Sequence, residues 1–180
     1  MKSFLRAGLI GLTVLSLAVC EVSCGRPVDR KIPKVICGTR IHPGLTRRLV
    51  TSPDGLHEFT RIDRTEAITA PCVLISGRDP VLEFRFSWDD RATDLMYLAT
   101  GTGTVSNVTA PRYVRDAPDK TLVGTDGALS QTRCKTKGGN YFTLTLQLPQ
   151  VRPGDQSHRR DIEAFMRAYF PATVRTLGCA

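Results

Sequence analysis

An α+β fold, with an antiparallel sheet covered by a C-terminal amphipathic helix, is what this sequence predicts. Three observations point to it. Residues 81–88 alternate, with Leu82, Phe84, Phe86 and Trp88 on one face and Glu83, Arg85 and Ser87 on the other, which is the period of a half-buried strand. Residues 128–136 and 141–148 flank Lys137-Gly138-Gly139-Asn140 as the two arms of a hairpin flank its turn. Near the C-terminus Ile162, Phe165, Met166, Tyr169 and Phe170 recur at i, i+3, i+4, i+7 and i+8, an apolar helical stripe. With 41% hydrophobic and 23% charged residues in 180, the composition excludes a largely disordered chain and suits one domain plus a processing segment.

The chain opens with a processing signal. Lys2 and Arg6 precede an apolar run over residues 7–19, which Glu21 ends. A run of thirteen residues is too short for a comfortable permanent span and matches a secretory h-region, so residues 1–24 read as a signal peptide. Cys20 and Cys24 stand where it ends, each in a lipobox-like setting. Ser23-Cys24-Gly25 offers the small neighbour that acylation geometry needs, whereas Val19 crowds Cys20, so Cys24 is the predicted lipidation site and Cys20 the alternative. Ordinary secretion without a lipid is the competing outcome. Residues 25–34, with Pro27 and Pro33, read as a polar tether, and residues 35–180 as a single domain.

Within that domain, strands are predicted at 34–39 and 45–51, separated by His42-Pro43-Gly44. Ser52-Pro53-Asp54-Gly55 is a turn, because Pro presets φ and Gly accepts positive φ. Further strands follow at 57–63 and 67–76, and Gly77-Arg78-Asp79-Pro80 links them to 81–88. Residues 95–100 read as another strand before a loop rich in Gly and Thr. Asp155 or Ser157 caps the terminal helix. Pro171 disfavours helical geometry at Phe170, which predicts a break there, and the helix stops at Gly178.

Cys37, Cys72, Cys134 and Cys179 remain after signal cleavage. An even number in an exported chain, with no C-x-x-C pair, predicts two disulfides, for which three connectivities are open. The competing fold is an immunoglobulin-like β-sandwich, since Cys72, Trp88 and Cys134 have roughly that order. Thr132 stands where that fold has its tyrosine, and a C-terminal helix is foreign to it.

Chemistry is sparsely signalled. His42, His57 and His158 sit by turns or at a helix start, and His42 and His57 with Glu58 lack the spacing of a compact metal-ligand motif. Asp89, Asp90 and Asp94 read as a solvated acidic loop rather than a calcium loop or a glycosidase pair. No nucleophile elbow, Ser-x-x-Lys, zincin or phosphate-loop motif occurs. Catalytic, cofactor and metal residues are therefore expected to be none. The charge is more telling. The formal net charge is +8, and removing Lys2, Arg6 and Glu21 leaves 23 cations against 16 anions. Arg40, Arg47, Arg48, Arg61, Arg64, Arg112, Arg115, Lys135, Lys137, Arg159 and Arg160 are scattered along the domain. Outside the cell, nucleic acid is not the expected partner, whereas anionic envelope components and envelope proteins are.

Val35-Ile36-Cys37-Gly38-Thr39-Arg40, Gly124-Thr125-Asp126-Gly127-Ala128 and the ending from Phe165-Met166-Arg167-Ala168-Tyr169-Phe170 to Gly178-Cys179 resemble the uncharacterised small exported proteins and lipoproteins of actinobacterial type. That resemblance implies compartment and architecture, not catalytic residues. The expectation is a non-enzymatic binding or interaction module, held by a lipid anchor on the extracellular face of the cell membrane. A small secreted hydrolase is the alternative.

Overall fold

The computed structural model describes residues 32–53, 55–60 and 69–179. A two-stranded hairpin, β1 (Val35–Ile36) and β2 (Thr39–Arg40), leads into a short helix, α1 (Pro43–Leu49). The strands β3 (Leu56–Thr60), β4 (Thr69–Ser76) and β5 (Asp79–Asp89) follow, then α2 (Leu95–Thr100). Next come β6 (Arg112–Tyr113), β7 (Lys120–Val123), β8 (Gly127–Thr136) and β9 (Gly139–Gln147). A 3₁₀ turn, Gln156–His158, enters the long α3 (Arg159–Thr176). The strands β3 to β9 form one seven-stranded sheet in the order β3-β4-β5-β9-β8-β7-β6, with every pairing antiparallel.

The predicted alternation in β5 is observed: Leu82, Phe84, Phe86 and Trp88 are buried, and the intervening residues are half-buried. The predicted hairpin is β8 and β9, with Thr136 opposite Gly139, so Lys137-Gly138 alone make the turn. Between β4 and β5 the chain turns just as tightly, through Gly77 at φ 62°, a value glycine adopts without steric cost.

The helical stripe of α3 lies on this sheet. Phe165 and Tyr169 stack at 5.0 Å, both rings meet Phe84 of β5, and Phe170 stacks on Phe142 of β9 at 5.7 Å. Ile162, Phe165, Met166, Tyr169 and Phe170 are at most 1% exposed. A smaller apolar cluster on the other face joins Leu95 and Ala99 of α2 with Val108, Leu122 and Leu129.

Several local expectations are corrected. Residues 45–51 are not a strand. Pro43 at the start of α1 has its φ preset and its missing N–H is no loss there, while His42 Nδ1 accepts a hydrogen bond from the Gly44 N–H at 3.1 Å. Residues 95–100 are likewise helical. Asp94 accepts from the Met96 and Tyr97 N–H groups at 2.8 and 3.4 Å, so this member of the acidic cluster is a helix cap. The predicted first strand is two short strands, because Cys37 and Gly38, at φ 48° and 71°, turn the chain back within it. The strand predicted at 57–63 begins one residue earlier as β3, and 61–63 lie outside the described residues. The helix α3 runs through Pro171 to Thr176 instead of breaking at Phe170. Thr173 and Leu177, both buried beyond the proline, hold its last turns against the domain. Gly178, at φ 61°, then ends it.

Two disulfides are present, Cys37–Cys72 and Cys134–Cys179. The first ties the β1–β2 turn to β4, and the second ties the end of α3 to β8. Cys72 and Cys134, which an immunoglobulin-type core would join to each other, are bonded to other partners. Such cross-links belong to an oxidising compartment. Among the described residues, no helix is long and apolar enough to cross a membrane.

Candidate basic groove

The β1–β2 hairpin packs beside the C-terminal half of α3. The Tyr169 hydroxyl donates to the Ile36 carbonyl at 2.9 Å, and the Thr39 and Thr173 hydroxyls share a hydrogen bond of 3.0 Å. Both contacts are buried, where an unmade hydrogen bond would cost about 1–3 kcal/mol. Glu58 of β3 adds a third restraint by accepting the Cys37 N–H at 2.6 Å.

These contacts leave an open groove of about 1280 Å³ between the hairpin, α1 and α3. Ile32, Ile41, Leu45, Ala168 and Ala172 supply its apolar lining. Ile32 and Ile41 are each only 6% exposed. Around them stand Lys34, Arg40, Arg47 and Arg175, all exposed, with His42 beside them. Among the described residues, no carboxylate lines the groove. Lys34, Arg40 and Arg175 have no ion-pair partner among the described residues.

Other cations are engaged in holding the fold. Arg159 donates to the Val123 and Ala110 carbonyls at 2.7 and 2.9 Å. Burial, and then the nearby Arg112, lower its pKa, while Asp126 opposes them. Arg167 donates to Glu163 and to the Arg115 carbonyl, each at 2.9 Å. Arg48 lies 3.8 Å from Asp161. Arg48, Arg159 and Arg167 are thus engaged with the fold, while Lys34, Arg40, Arg47 and Arg175 surround the groove.

Two of the three histidines find backbone neighbours. His42 Nδ1 caps α1, and His57 Nδ1 lies 3.2 Å from the Gly55 carbonyl oxygen. Cys37, Glu58 and Cys72 come together closely enough to suggest a ligand set. Their two sulfurs, however, are joined to each other, and a disulfide sulfur lacks the thiolate charge that a metal requires. Of the predicted site residues, Cys37, Cys72, Cys134 and Cys179 are paired as described. Cys20 and Cys24, like Arg61 and Arg64, lie outside the described residues.

The groove itself was not anticipated from sequence. Lys34 and Arg175 are far apart in the chain, and only the folded hairpin brings them to one rim. One local signal existed: Ala168, Ala172 and Arg175 fall at i, i+4 and i+7, a small-residue strip beside the stripe of α3.

Comparison with protein-family models, curated proteins and solved structures returned no match. The class that fold and cross-links define is an α+β protein with a seven-stranded antiparallel sheet, a C-terminal helix and two disulfides.

Proposed function

We propose that the chain is a non-enzymatic binding module of the cell envelope, of the actinobacterial exported-protein type, and that its basic groove receives an anionic envelope component. One observation carries this reading: Lys34, Arg40, Arg47 and Arg175 surround an apolar-lined groove with no lining carboxylate among the described residues. Charge of one sign at Lys34, Arg40 and Arg175, without an ion-pair partner among the described residues, around a concave, low-dielectric surface concentrates ligands of the opposite sign. In this reading α3 forms the covering layer of the sheet, in place of a second sheet. A diacylglyceryl anchor on Cys24 keeps the domain at the extracellular face of the membrane. The tether supports that placement, since Ile32 follows Cys24 by eight residues, a reach of at most about 29 Å.

Photo-cross-linking in intact envelopes tests the binding role. A photoreactive residue at Ala172, on the groove, should capture an anionic component that the same residue at exposed Tyr97 does not. Arg40→Glu with Arg175→Glu should abolish the capture. Equal capture by the charge-reversed chain would refute the groove as the binding site.

A further inference from the structure

We infer that the groove's ligand is an anionic phospholipid, taken up as a single molecule with its phosphate among the rim cations and an acyl chain along the apolar lining. The inference rests on the groove being a binding site and adds the class of ligand. Three properties select that class. Size is the first: about 1280 Å³ exceeds the roughly 300–1,000 Å³ of ordinary small-molecule pockets, so a free phosphate ion would leave most of it empty.

Amphiphilicity is the second. Ile32 and Ile41 are buried within the groove, Leu45, Ala168 and Ala172 are partly buried, and the cations are exposed around them. A fully hydrophilic polyanion would satisfy the rim and leave the partly buried Leu45, Ala168 and Ala172 wet, whereas an acyl chain covers them and gains the transfer free energy of each buried methylene. The planar guanidinium groups of Arg40 and Arg175 match phosphate oxygens by paired N–H donation.

Charge is the third. The chain's own segment 25–31 is the nearest rival occupant. It carries Arg26, Arg30 and Lys31 against the single Asp29, so the rim repels it. The lipid source is close at hand, because Ile32 and Lys34, which line the groove, directly follow the segment that the proposed anchor would hold at the bilayer.

The test uses the exported full chain carrying Cys20→Ser and Cys24→Ser, so that no anchor of its own contacts lipid. Binding is followed by native mass spectrometry and titration calorimetry. The probes are palmitoyl lysophosphatidylglycerol, palmitoyl lysophosphatidylcholine and glycerol phosphate. The anionic lysolipid should bind at least about tenfold more tightly than the zwitterionic one, and glycerol phosphate should not bind detectably. Arg40→Ala with Arg175→Ala should weaken the anionic lysolipid by at least about tenfold while leaving the thermal midpoint unchanged. Ala172→Trp, which fills the groove, should abolish lysolipid binding. Equal affinity for the two lysolipids, or binding indifferent to the arginine pair, overturns the inference. Glycerol phosphate binding that the arginine pair abolishes would overturn the lipid assignment alone and keep an anion site. Absence of any arginine-dependent anion binding would overturn both.

Discussion

Replacing Phe165 with alanine should destabilise the domain by about 3–5 kcal/mol, the cost of leaving a cavity where a buried aromatic stood. The ring is fully buried, 5.0 Å from Tyr169 and 6.1 Å from Phe84, so helix and sheet both lose packing partners. Arg160 is exposed one turn earlier, and Arg160→Ala should cost less than about 0.5 kcal/mol. Trp88, the single tryptophan and 2% exposed, reports unfolding by fluorescence in a urea titration. With a denaturant slope of about 2 kcal/mol per molar, the midpoint of Phe165→Ala should fall by about 2 M, and that of Arg160→Ala should barely move. Equal shifts of under about 0.5 M would refute the reasoning. They would mean that the stripe of α3 contributes little to the core and is free to serve as a surface.

The remaining predictions concern covalent links and pH. Peptide mapping without reduction should recover Cys37 joined to Cys72 and Cys134 joined to Cys179, and removing either pair should cost about 2–5 kcal/mol; a Cys72–Cys134 peptide would contradict the fold. Mass spectrometry of the mature N-terminus should find Cys24 acylated, and an unmodified start at Gly25 or acylation at Cys20 would count against that assignment. Asp155 should titrate below the ordinary aspartate value of 3.8, chiefly because its carboxylate accepts the Ser157 N–H. Its stabilising contribution is then complete above that ordinary value and is lost as pH falls through the lower folded one. An NMR titration checks the direction, and Asp155→Asn should flatten this part of the acid limb.

The parts of the fold that announce themselves in sequence are those where burial repeats over many residues. The alternation in β5, the β8–β9 hairpin and the stripe of α3 each carry a period longer than any local accident. The short helices do not. Both α1 and α2 are set by single residues, His42 with Pro43 and Asp94, whose capping role looks like turn chemistry until the helix behind them is seen. Strands β6 and β7 escaped notice because two to four residues are too few to show a period. Pro171 misled in the other direction, since its local preference is overridden by the burial of Thr173 and Leu177. The groove was the least legible feature. Its cations come from the residue before β1, from β2, from α1 and from the far end of α3, and nothing in local sequence joins them. The disulfides were legible in number, but their pairing depends on which strands lie side by side.

The position of Cys37 has a mechanical consequence. Any pull transmitted from upstream enters the domain at Ile32 and meets Cys37 five residues later. The β1–β2 strands are two residues each and, alone, would peel apart under modest load. The bond to Cys72 diverts that load into β4, which pairs with β5 from Thr69 to Ser76 and with β3 from Cys72 to Ser76. Extension of the N-terminal segment therefore stops at the sulfur bridge, and the load passes to a strand paired on both sides at Cys72. A domain loaded from its N-terminal side keeps its shape for the same reason that a rope is tied to the beam and not to the railing.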